Sequence, residues 1–255
     1  MDFAMSLEGR RALVTGASGG LGEHFAKLLA RCGAHVAIAA RRLDACERVR
    51  DDIARGGGKA VAIALDVSDS QSVATGVETA IVALGGLDIL VNNAGVTATT
   101  PLLDLDESAW DRIIDTNLKG AFLAGQAAAR AMSAGKQGGA IVNIASILGL
   151  RVAGQVAPYA AGKAGLVQLT KAMALEWARH DIRVNALCPG YVETDFNRDF
   201  FATEAGQALV RRIPQRRLLK PSDLDGALLL LCSDAGAAIT GAAIPVDGGH
   251  LVSSL

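Results

Sequence analysis

The sequence is poor in aromatic residues and has no excess of either charge. Aromatic side chains make up 4% of its 255 residues, and 25 lysines and arginines almost balance 26 aspartates and glutamates, leaving a formal net charge of −1. A chain without a basic surplus or a run of lysine and arginine has little electrostatic attraction for a phosphate backbone. We therefore expect no nucleic-acid partner.

The four cysteines and four histidines are too scattered to indicate a metal site. No two cysteines form a C-x-x-C pair, and the histidines show no H-E-x-x-H spacing. The cysteines lie among small apolar residues, which is typical of a buried hydrophobic role. We expect no bound metal, and a chain of this length needs no disulfide to hold its core.

Long hydrophobic runs are also missing. The longest uninterrupted apolar run, residues 227–232, is far shorter than the roughly 20 residues of a membrane-spanning helix. Residues 1–11 contain Asp2 and Glu8 and lack the apolar segment of a secretory signal. We expect a soluble, cytoplasmic protein with no membrane partner.

What the sequence does contain is a regular alternation of two hydrophobic patterns. Short apolar runs typical of buried strands occur at 12–14, 36–39, 60–64, 87–91, 140–144, 182–186 and 243–246. Segments with helical periodicity lie between most of them, at 21–32, 43–55, 70–84, 107–132, 158–180 and 222–232. This alternation predicts one doubly wound α/β domain of the Rossmann type over residues 1–255, with a seven-stranded parallel sheet and helices on both faces.

A glycine-rich turn follows the first predicted strand directly. Residues 15–22 read TGASGGLG, which places Gly16 at a tight turn, Gly20 where backbone approaches a pyrophosphate, and Gly22 where helix and sheet pack closely. The spacing differs from the standard G-x-G-x-x-G fingerprint, so the turn alone is a weak indication. The strand and helix around it strengthen the interpretation as a dinucleotide-binding turn.

The same turn allows a second interpretation, in which Ser18 is the nucleophile of a serine hydrolase. Residues 16–20 fit the pattern G-x-S-x-G, and a triad would continue with Asp223 or Asp225 and then His250. That architecture needs strands and an oxyanion-hole loop before the serine, whereas fewer than a dozen residues precede the first strand here. A third interpretation on the same fold is a dinucleotide-binding regulator without catalysis.

Basic residues follow the second predicted strand. Ala40 stands where an acidic residue would hold the adenine ribose hydroxyls, and Arg41 and Arg42 come next. Basic side chains at this place accommodate a 2′-phosphate. The sequence therefore favours NADP(H), with NAD(H) as the alternative cofactor.

Ser146, Tyr159 and Lys163 form a candidate catalytic set. Tyr159 and Lys163 are four residues apart near the start of a predicted helix, so their side chains share a face. A phenol with a pKa of about 10 is a poor base at neutral pH, and a neighbouring ammonium is expected to lower that pKa. Ser146, at the end of the fifth strand, would hold a carbonyl oxygen while Tyr159 supplies the proton.

Residues 191–220 interrupt the alternation of strands and helices, and we expect them to form a lid over the crevice. Four of the ten aromatic residues lie there: Tyr191, Phe196, Phe200 and Phe201. Helical spacing of these side chains predicts an apolar face toward the nicotinamide and a preference for ketones with apolar or aryl substituents. In the alternative, the segment is a surface helix pair whose aromatics pack locally or at a subunit contact.

These motifs together resemble the short-chain dehydrogenase/reductase family, over residues 7 to about 252. The turn at 15–22 is similar to the family's cofactor turn, NNAG at 92–95 to its fourth-strand motif, and PVDGG at 245–249 to its terminal strand. The resemblance implies a catalytic tetrad of Asn117, Ser146, Tyr159 and Lys163. The implied and expected cofactor-binding residues are Gly16, Ser18, Gly19, Gly20, Leu21, Arg41, Arg42, Asp66, Val67, Asn93, Ala94, Gly95, Tyr159, Lys163, Pro189, Gly190, Val192 and Thr194.

The resemblance also implies roles for the tetrad. Tyr159 would be the acid/base, Lys163 would orient the nicotinamide ribose and lower the pKa of Tyr159, Ser146 would bind the carbonyl, and Asn117 would support a water relay. The implied activity is NADP(H)-dependent interconversion of a ketone and a secondary alcohol, in a homotetramer acting on a small molecule.

The subgroup that the chain resembles most contains the 3-oxoacyl-carrier-protein reductases, which leaves that activity as an alternative. Those enzymes offer basic residues to the acidic carrier protein at positions that correspond to Gln137 and His180 here. Lys136 and Arg179 are adjacent and would have to take their place.

Overall fold

The structure, a computed structural model, describes residues 5–194 and 198–253 and is built around one parallel sheet. Its strands lie in the order β3-β2-β1-β4-β5-β6-β7, and each neighbouring pair is parallel. The strand order reverses between β1 and β4, where a crevice opens at the carboxyl ends of a doubly wound sheet. The predicted fold class is confirmed. The strands are β1 (Arg11–Thr15), β2 (His35–Ala40), β3 (Lys59–Ala64), β4 (Ile89–Asn92), β5 (Gly139–Ile144), β6 (Ile182–Pro189) and β7 (Ala243–Val246).

Helices cover both faces of this sheet. Side chains of α1, α2 and α9 pack in one buried cluster, and those of α3, α5 and α6 pack in another. No helix in the described part of the chain combines the length and apolar character needed to cross a membrane. The helices are α1 (Gly20–Arg31), α2 (Leu43–Arg55), α3 (Ser70–Leu84), α4 (Glu107–Ile114), α5 (Gly120–Gly135), α6 (Ala157–Trp177), α7 (Arg198–Ala202), α8 (Glu204–Val210) and α9 (Asp225–Cys232).

Strand β1 shows why the segments predicted as strands are apolar along most of their length. Leu13 packs in the cluster of α3, α5 and α6, whereas its neighbours Ala12 and Val14 pack in the cluster of α1, α2 and α9. Successive side chains of a strand point to opposite faces, so a strand covered on both faces buries apolar side chains at nearly every position. Full burial of each valine or leucine side chain contributes about 1.5–3 kcal/mol.

The predicted helix at 107–132 is interrupted by a π-helical turn. The helix α4 ends at Ile114, the turn covers Asp115–Lys119, and α5 continues to Gly135. The turn contains Asn117, which is fully buried and whose amide bonds both backbone groups of Val96: Oδ1 accepts from its N–H and Nδ2 donates to its carbonyl, each at 2.8 Å. π-helical turns are rare, and the apolar spacing of the sequence does not indicate one.

Other elements differ from the predictions at their ends. The sixth strand runs three residues further than predicted, to Pro189. The predicted helix at 222–232 begins with a 3₁₀ turn (Pro221–Leu224), and the one at 158–180 ends with a 3₁₀ turn (Ala178–His180). Helix termini commonly tighten in this way, which shifts their ends by a residue or two.

The segment at 191–220 is closed at its base by backbone contacts. Val192 and Leu219 form a parallel bridge, Leu219 donates its N–H to the carbonyl of Tyr191 at 2.9 Å, and Glu193 donates to Leu219 at 2.8 Å. Within the segment, α7 and α8 are short helices of 5 and 7 residues. Phe196, one of the predicted aromatic lid residues, lies outside the described residues.

An ion pair joins the amino ends of β1 and β4, at the sheet edge opposite the crevice. The carboxylate of Asp88 accepts from the backbone N–H and the Nε of Arg11, each at 2.8 Å, and from its Nη2 at 2.6 Å. Asp88 is only 7% exposed. Burial raises the pKa of Asp88, but the hydrogen bonds and charge of Arg11 outweigh it, so this pKa lies below its usual value.

We expect Asp88→Asn to lower the free energy of unfolding by about 2 kcal/mol at pH 7, because loss of one partner of a largely buried pair leaves the other charge uncompensated. The pKa of Asp88 is lower in the folded protein than in the unfolded protein, where it is about 4, so the ion pair stabilises the fold fully above that pH. The stabilisation is lost as the pH falls through the pKa of Asp88 in the folded protein. Urea unfolding at pH 7 and about pH 3 measures both effects.

The control is Asp234→Asn, since Asp234 pairs with Arg10 at the surface and its side chain is 75% exposed. An exposed pair of this kind is expected to contribute less than about 1 kcal/mol. Equal losses in the two variants, or a loss at Asp88 that persists undiminished in acid, would contradict the prediction.

Candidate active site

The glycine-rich turn lies at the carboxyl end of β1 and begins α1. Gly16 and Gly20 have left-handed backbone, with φ of 65° and 56°. A Cβ on Gly16 would lie 2.7 Å from the Cα of Ala94, so only glycine allows the two backbones to approach. Gly19 caps α1 without a side chain, which leaves the first N–H groups of this helix for an anion.

Thr15 and Asn93 tie this turn to the end of β4. The hydroxyl of Thr15 accepts from the N–H groups of Asn93 and Ala94 at 3.1 and 3.2 Å. In return, Nδ2 of Asn93 donates to the carbonyls of Thr15 and Gly16 at 3.1 and 3.2 Å. Thr15 is not among the residues predicted from the sequence to line the site, although it stands directly before the first glycine of the turn.

A cavity of about 720 Å³ extends along the carboxyl ends of strands β1 to β4. Its volume is within the range of small-molecule and cofactor sites. Five residues outside the predicted cofactor-binding set also line it, and each is adjacent in sequence to a predicted site residue: Gly22, Ala40, Leu65, Val96 and Thr116. The predicted residues that line the cavity are Gly16, Ser18, Gly19, Leu21, Arg41, Arg42, Asp66, Val67, Asn93, Ala94 and Gly95.

The end of the cavity beside β2 is basic. Arg41 and Arg42 are exposed, and neither forms an ion pair within the described residues. Asp66 lies nearby and accepts from the N–H and the hydroxyl of Ser68 at 3.0 and 2.7 Å. Burial raises the pKa of Asp66, but the Ser68 bonds and the charge of Arg41 outweigh it and hold this pKa below its usual value. The two arginines therefore remain free to meet a phosphate.

Ser146, Tyr159 and Lys163 come together at the carboxyl end of β5. Ser146 lies two residues beyond the end of this strand and is 8% exposed, while Tyr159 and Lys163 lie on the first turns of α6. The Nζ of Lys163 lies 5.6 Å from the centre of the Tyr159 ring and donates to the carbonyl of Ile144 at 2.7 Å. A Cβ on Gly95 would lie 3.5 Å from Nζ and 3.4 Å from Oδ1 of Asn117, so the tetrad borders the cavity.

The expectation that Lys163 lowers the pKa of Tyr159 is wrong in this structure. Burial raises the pKa of the Tyr159 phenol, and only a hydrogen bond with Ser146 opposes this. The Lys163 ammonium lies over the ring and bonds a backbone carbonyl, and its own burial lowers its pKa to about 8. The phenol is therefore protonated at neutral pH.

Pro189, Gly190, Val192 and Thr194 lie at and beyond the end of β6, beside β5. None of them lines the 720 Å³ cavity. Gly190 donates to the carbonyl of Val246 at 2.9 Å, and a Cβ on Gly190 would lie 2.8 Å from the Cα of Asp247. Gly190 therefore packs against the end of β7.

The hydrolase alternative is wrong. Oδ1 of Asp225 lies 2.6 Å from Nε2 of His24, and Asp223 pairs with Arg217 and accepts from the N–H of Lys220 at 2.8 Å. The ring of His250 packs against Tyr191, with 5.5 Å between the ring centres. Neither aspartate pairs with His250, so the structure assembles no triad with Ser18.

The aromatic residues of the predicted lid contact one another. Phe201 is buried and packs edge-on against Tyr191 and Phe200, with ring centres 5.8 and 5.1 Å apart, while Phe200 is half exposed. This arrangement supports the alternative of local packing for Phe201 and Tyr191.

Comparisons with known proteins agree with this geometry. The family model described as Enoyl-(Acyl carrier protein) reductase matches residues 16–250. A gluconate 5-dehydrogenase from Gluconobacter oxydans is 39% identical over 249 residues, with 97% of each chain covered.

Two solved structures have the same fold. One, assigned provisionally as a short-chain alcohol dehydrogenase from Sinorhizobium meliloti, is 49% identical with a TM-score of 0.95 and covers 99% of this chain and 100% of its own. The other, a gluconate 5-dehydrogenase from Burkholderia cenocepacia in complex with NADP and tartrate, is 35% identical with a TM-score of 0.95 and 98% coverage of both chains.

The chain thus belongs to the short-chain dehydrogenase/reductase family. It is an oxidoreductase, and the predictions of family and enzyme class are confirmed.

Proposed function

We propose that the protein binds NADP(H) and interconverts a ketone and a secondary alcohol. The observation that carries the proposal is the convergence of Ser146, Tyr159 and Lys163 at the edge of a cavity lined by the glycine turn. The bound nicotinamide supplies or accepts the hydride. The NADP in the related gluconate 5-dehydrogenase structure supports this cofactor.

The tetrad residues have distinct roles in this proposal. Tyr159 donates the proton to the carbonyl oxygen, and Ser146 holds that oxygen by a hydrogen bond. Lys163 supports the Tyr159 ring and orients the nicotinamide ribose. The side-chain amide of Asn117 is hydrogen-bonded to the backbone of Val96. Asn117 supports a water relay through its position in the π-helical turn.

The predicted cofactor residues divide into three groups. Gly16, Ser18, Gly19, Gly20 and Leu21 receive the pyrophosphate at the start of α1. Arg41 and Arg42 bind the 2′-phosphate through charge-assisted hydrogen bonds. The remaining residues contact adenine, ribose and nicotinamide: Asp66, Val67, Asn93, Ala94, Gly95, Tyr159, Lys163, Pro189, Gly190, Val192 and Thr194.

We also propose a single domain with a lid at 191–220, assembled as a cytoplasmic homotetramer. Exposed apolar side chains support the assembly, since Leu103 is fully exposed and Leu175 is 82% exposed. Sedimentation equilibrium would detect a mass four times the 26.2 kDa of the chain. A monomer at micromolar concentration would contradict the assembly.

Reduction of a 3-oxoacyl group on a carrier protein is the second candidate. Gln137 and His180 stand where the related reductases offer basic residues to the carrier protein, and both are already engaged. Gln137 accepts a hydrogen bond from Arg11, and the His180 ring forms a hydrogen bond with Ser133, so these positions favour the carrier-protein activity less. Similarity to a gluconate 5-dehydrogenase does not decide whether the small-molecule substrate is acidic or uncharged.

We expect a preference for NADPH over NADH of at least about tenfold in kcat/KM, or about 1.4 kcal/mol, because Arg41 and Arg42 meet a 2′-phosphate. Steady-state kinetics with both cofactors and one ketone measures it. The double variant Ala40→Asp/Arg41→Ser should reverse the preference, whereas Arg48→Ser, at an exposed site on α2, should leave it unchanged. Equal efficiency of the wild type with NADH would refute the assignment.

We expect Tyr159→Phe to lower kcat at least a hundredfold while the Kd for NADPH changes less than about twofold, because the hydroxyl acts in the transition state. Stopped-flow turnover and fluorescence titration separate these effects. Retention of a tenth of wild-type turnover would contradict the role of Tyr159. Because the pKa of Tyr159 is raised, alcohol oxidation, which needs the phenolate, should still rise above about pH 9, and ketone reduction should tolerate lower pH.

We expect saturating NADPH to slow tryptic cleavage at Arg211 and Arg212, because a lid closed on cofactor protects its backbone. Cleavage after Arg55, which is exposed at the end of α2, serves as the control. The lid is refuted by cleavage between Thr194 and Arg212 that proceeds at the same rate with and without cofactor.

A further inference from the structure

A basic corner lies beside the catalytic tyrosine and has no part in the proposed hydride or proton transfer. It consists of Arg151, Tyr191, Arg212 and His250. Arg151 is five residues beyond Ser146, and its N–H donates to the carbonyl of Ile147 at 2.9 Å. The corner therefore begins on the same short turn that holds Ser146 in place.

The side chain of Arg151 is fixed but mostly unsatisfied. Its Nη1 donates to the backbone carbonyl of His250 at 2.6 Å. The other N–H groups of this guanidinium have no acceptor in the described part of the chain. Because a guanidinium has five donors in a rigid fork, one bond fixes its position and leaves a face for a ligand.

His250 provides an independent indication that the corner receives a polar ligand. It is only 5% exposed, and its Nδ1 is buried without a hydrogen-bond partner among the described residues. Burial, followed by the charge of Arg151, lowers the pKa of His250, and with Arg212 it outweighs the opposing charge of Asp247, so the ring is neutral at pH 7. Buried polar atoms without partners are rare, and each calls for an explanation such as a ligand.

The corner reaches the reacting hydroxyl through Tyr191. The Tyr191 ring lies 5.5 Å from the His250 ring, and it is close enough to Tyr159 for its charge to raise the pKa of that phenol. Asp247 is the acidic group whose charge acts on His250, and its oxygens accept from the N–H groups of Gly249 and Leu251 at 2.9 and 2.7 Å. Within the described residues it forms no ion pair with Arg151 or Arg212, so it leaves both guanidinium groups open to a ligand.

We propose that the substrate carries a carboxylate and that Arg151 binds it, with Arg212 adding positive charge at the entrance. This substrate class rests on the proposed ketone and alcohol chemistry. The planar fork of Arg151 matches the two oxygens of a carboxylate, and a charged pair in a partly buried site is stronger than a neutral hydrogen bond. The carboxylate is held beside Tyr191 while the carbon to be oxidised lies at Ser146 and Tyr159.

The test compares matched substrates with NADP⁺ as cofactor. Four- to six-carbon hydroxy acids are each paired with the neutral polyol of the same length and configuration, and phosphate esters of the same polyols form a third arm. In the wild type, kcat/KM should be at least about tenfold higher for an acid than for its neutral partner. Arg151→Met should lower kcat/KM for the acid by about tenfold to a hundredfold and leave the neutral substrate within about twofold.

Two further variants sharpen the result. Arg151→Lys should recover part of the loss, since it keeps the charge without the fork. Arg48→Met removes one exposed positive charge from α2 and should change nothing. If Arg151→Met does not fold, which its melting temperature shows, the wild-type ratio of acid to neutral substrate decides alone.

The outcomes separate this inference from the proposed function. Turnover of neutral polyols equal to or better than that of the acids, or equal losses for both classes in Arg151→Met, overturns the carboxylate site while the oxidoreductase activity stands. Higher activity on the phosphate esters than on the acids also overturns it. If no alcohol or ketone in the panel reacts with either cofactor, the proposed function itself fails.

Discussion

The close approach of two backbones, at Gly16 and Ala94, is the contact on which the candidate site depends. A single added carbon at Gly16 would collide with the Cα of Ala94. Because the two backbones lie this close, the Thr15 hydroxyl accepts hydrogen bonds from the N–H groups of Asn93 and Ala94, just after β4. The side-chain amide of Asn93 donates in return to two carbonyls of the glycine-rich turn. The turn, the start of α1 and one wall of the cavity are consequently held as one unit. Overpacking at such a position costs typically 1–3 kcal/mol, a large share of the stability of a domain.

Burial is the largest cause of the pKa shifts of both Tyr159 and Lys163. A buried charged form is unfavourable, which raises the pKa of Tyr159 and lowers that of Lys163 to about 8. Sequence spacing indicates that the two side chains share a helix face, but it carries no information on how much water reaches them. The direction of the Tyr159 shift could therefore not be predicted from the sequence, and the rule of opposite charges gave the wrong sign.

Buried polar side chains, two of them amides, hold α6, the helix that carries Tyr159 and Lys163, against the sheet. Nδ2 of Asn92 donates to Oδ1 of Asn143 at 2.9 Å, and Nδ2 of Asn143 donates to the hydroxyl of Thr170 at 2.9 Å. These side chains join β4, β5 and α6 in one buried polar network, in which Oδ1 of Asn92 has no hydrogen-bond partner among the described residues. The sequence shows three polar residues in apolar surroundings, but their partners become visible only when the strands are placed side by side.

The sheet, the glycine turn and the Tyr159–Lys163 pair follow from local patterns, since period, turn chemistry and i,i+4 spacing are properties of neighbouring residues. The π-helical turn at Asn117, the pairing of Asp225 with His24, and the meeting of Arg151 with His250 join residues that are distant in sequence or depend on a rare helix geometry. No window of the sequence contains both partners of such a contact. That is why the hydrolase triad could be written down from the sequence and why the structure was needed to dismiss it.

The bridge between Val192 and Leu219 has an evolutionary consequence. The chain leaves the end of β6 and returns to nearly the same point, so the segment between these two residues is a closed excursion from the fold. The entropic cost of closing a loop grows only slowly with the length of the loop, and surface connections tolerate insertions. A lineage can therefore exchange or resize this excursion without altering the register of the sheet or the positions of Ser146, Tyr159 and Lys163.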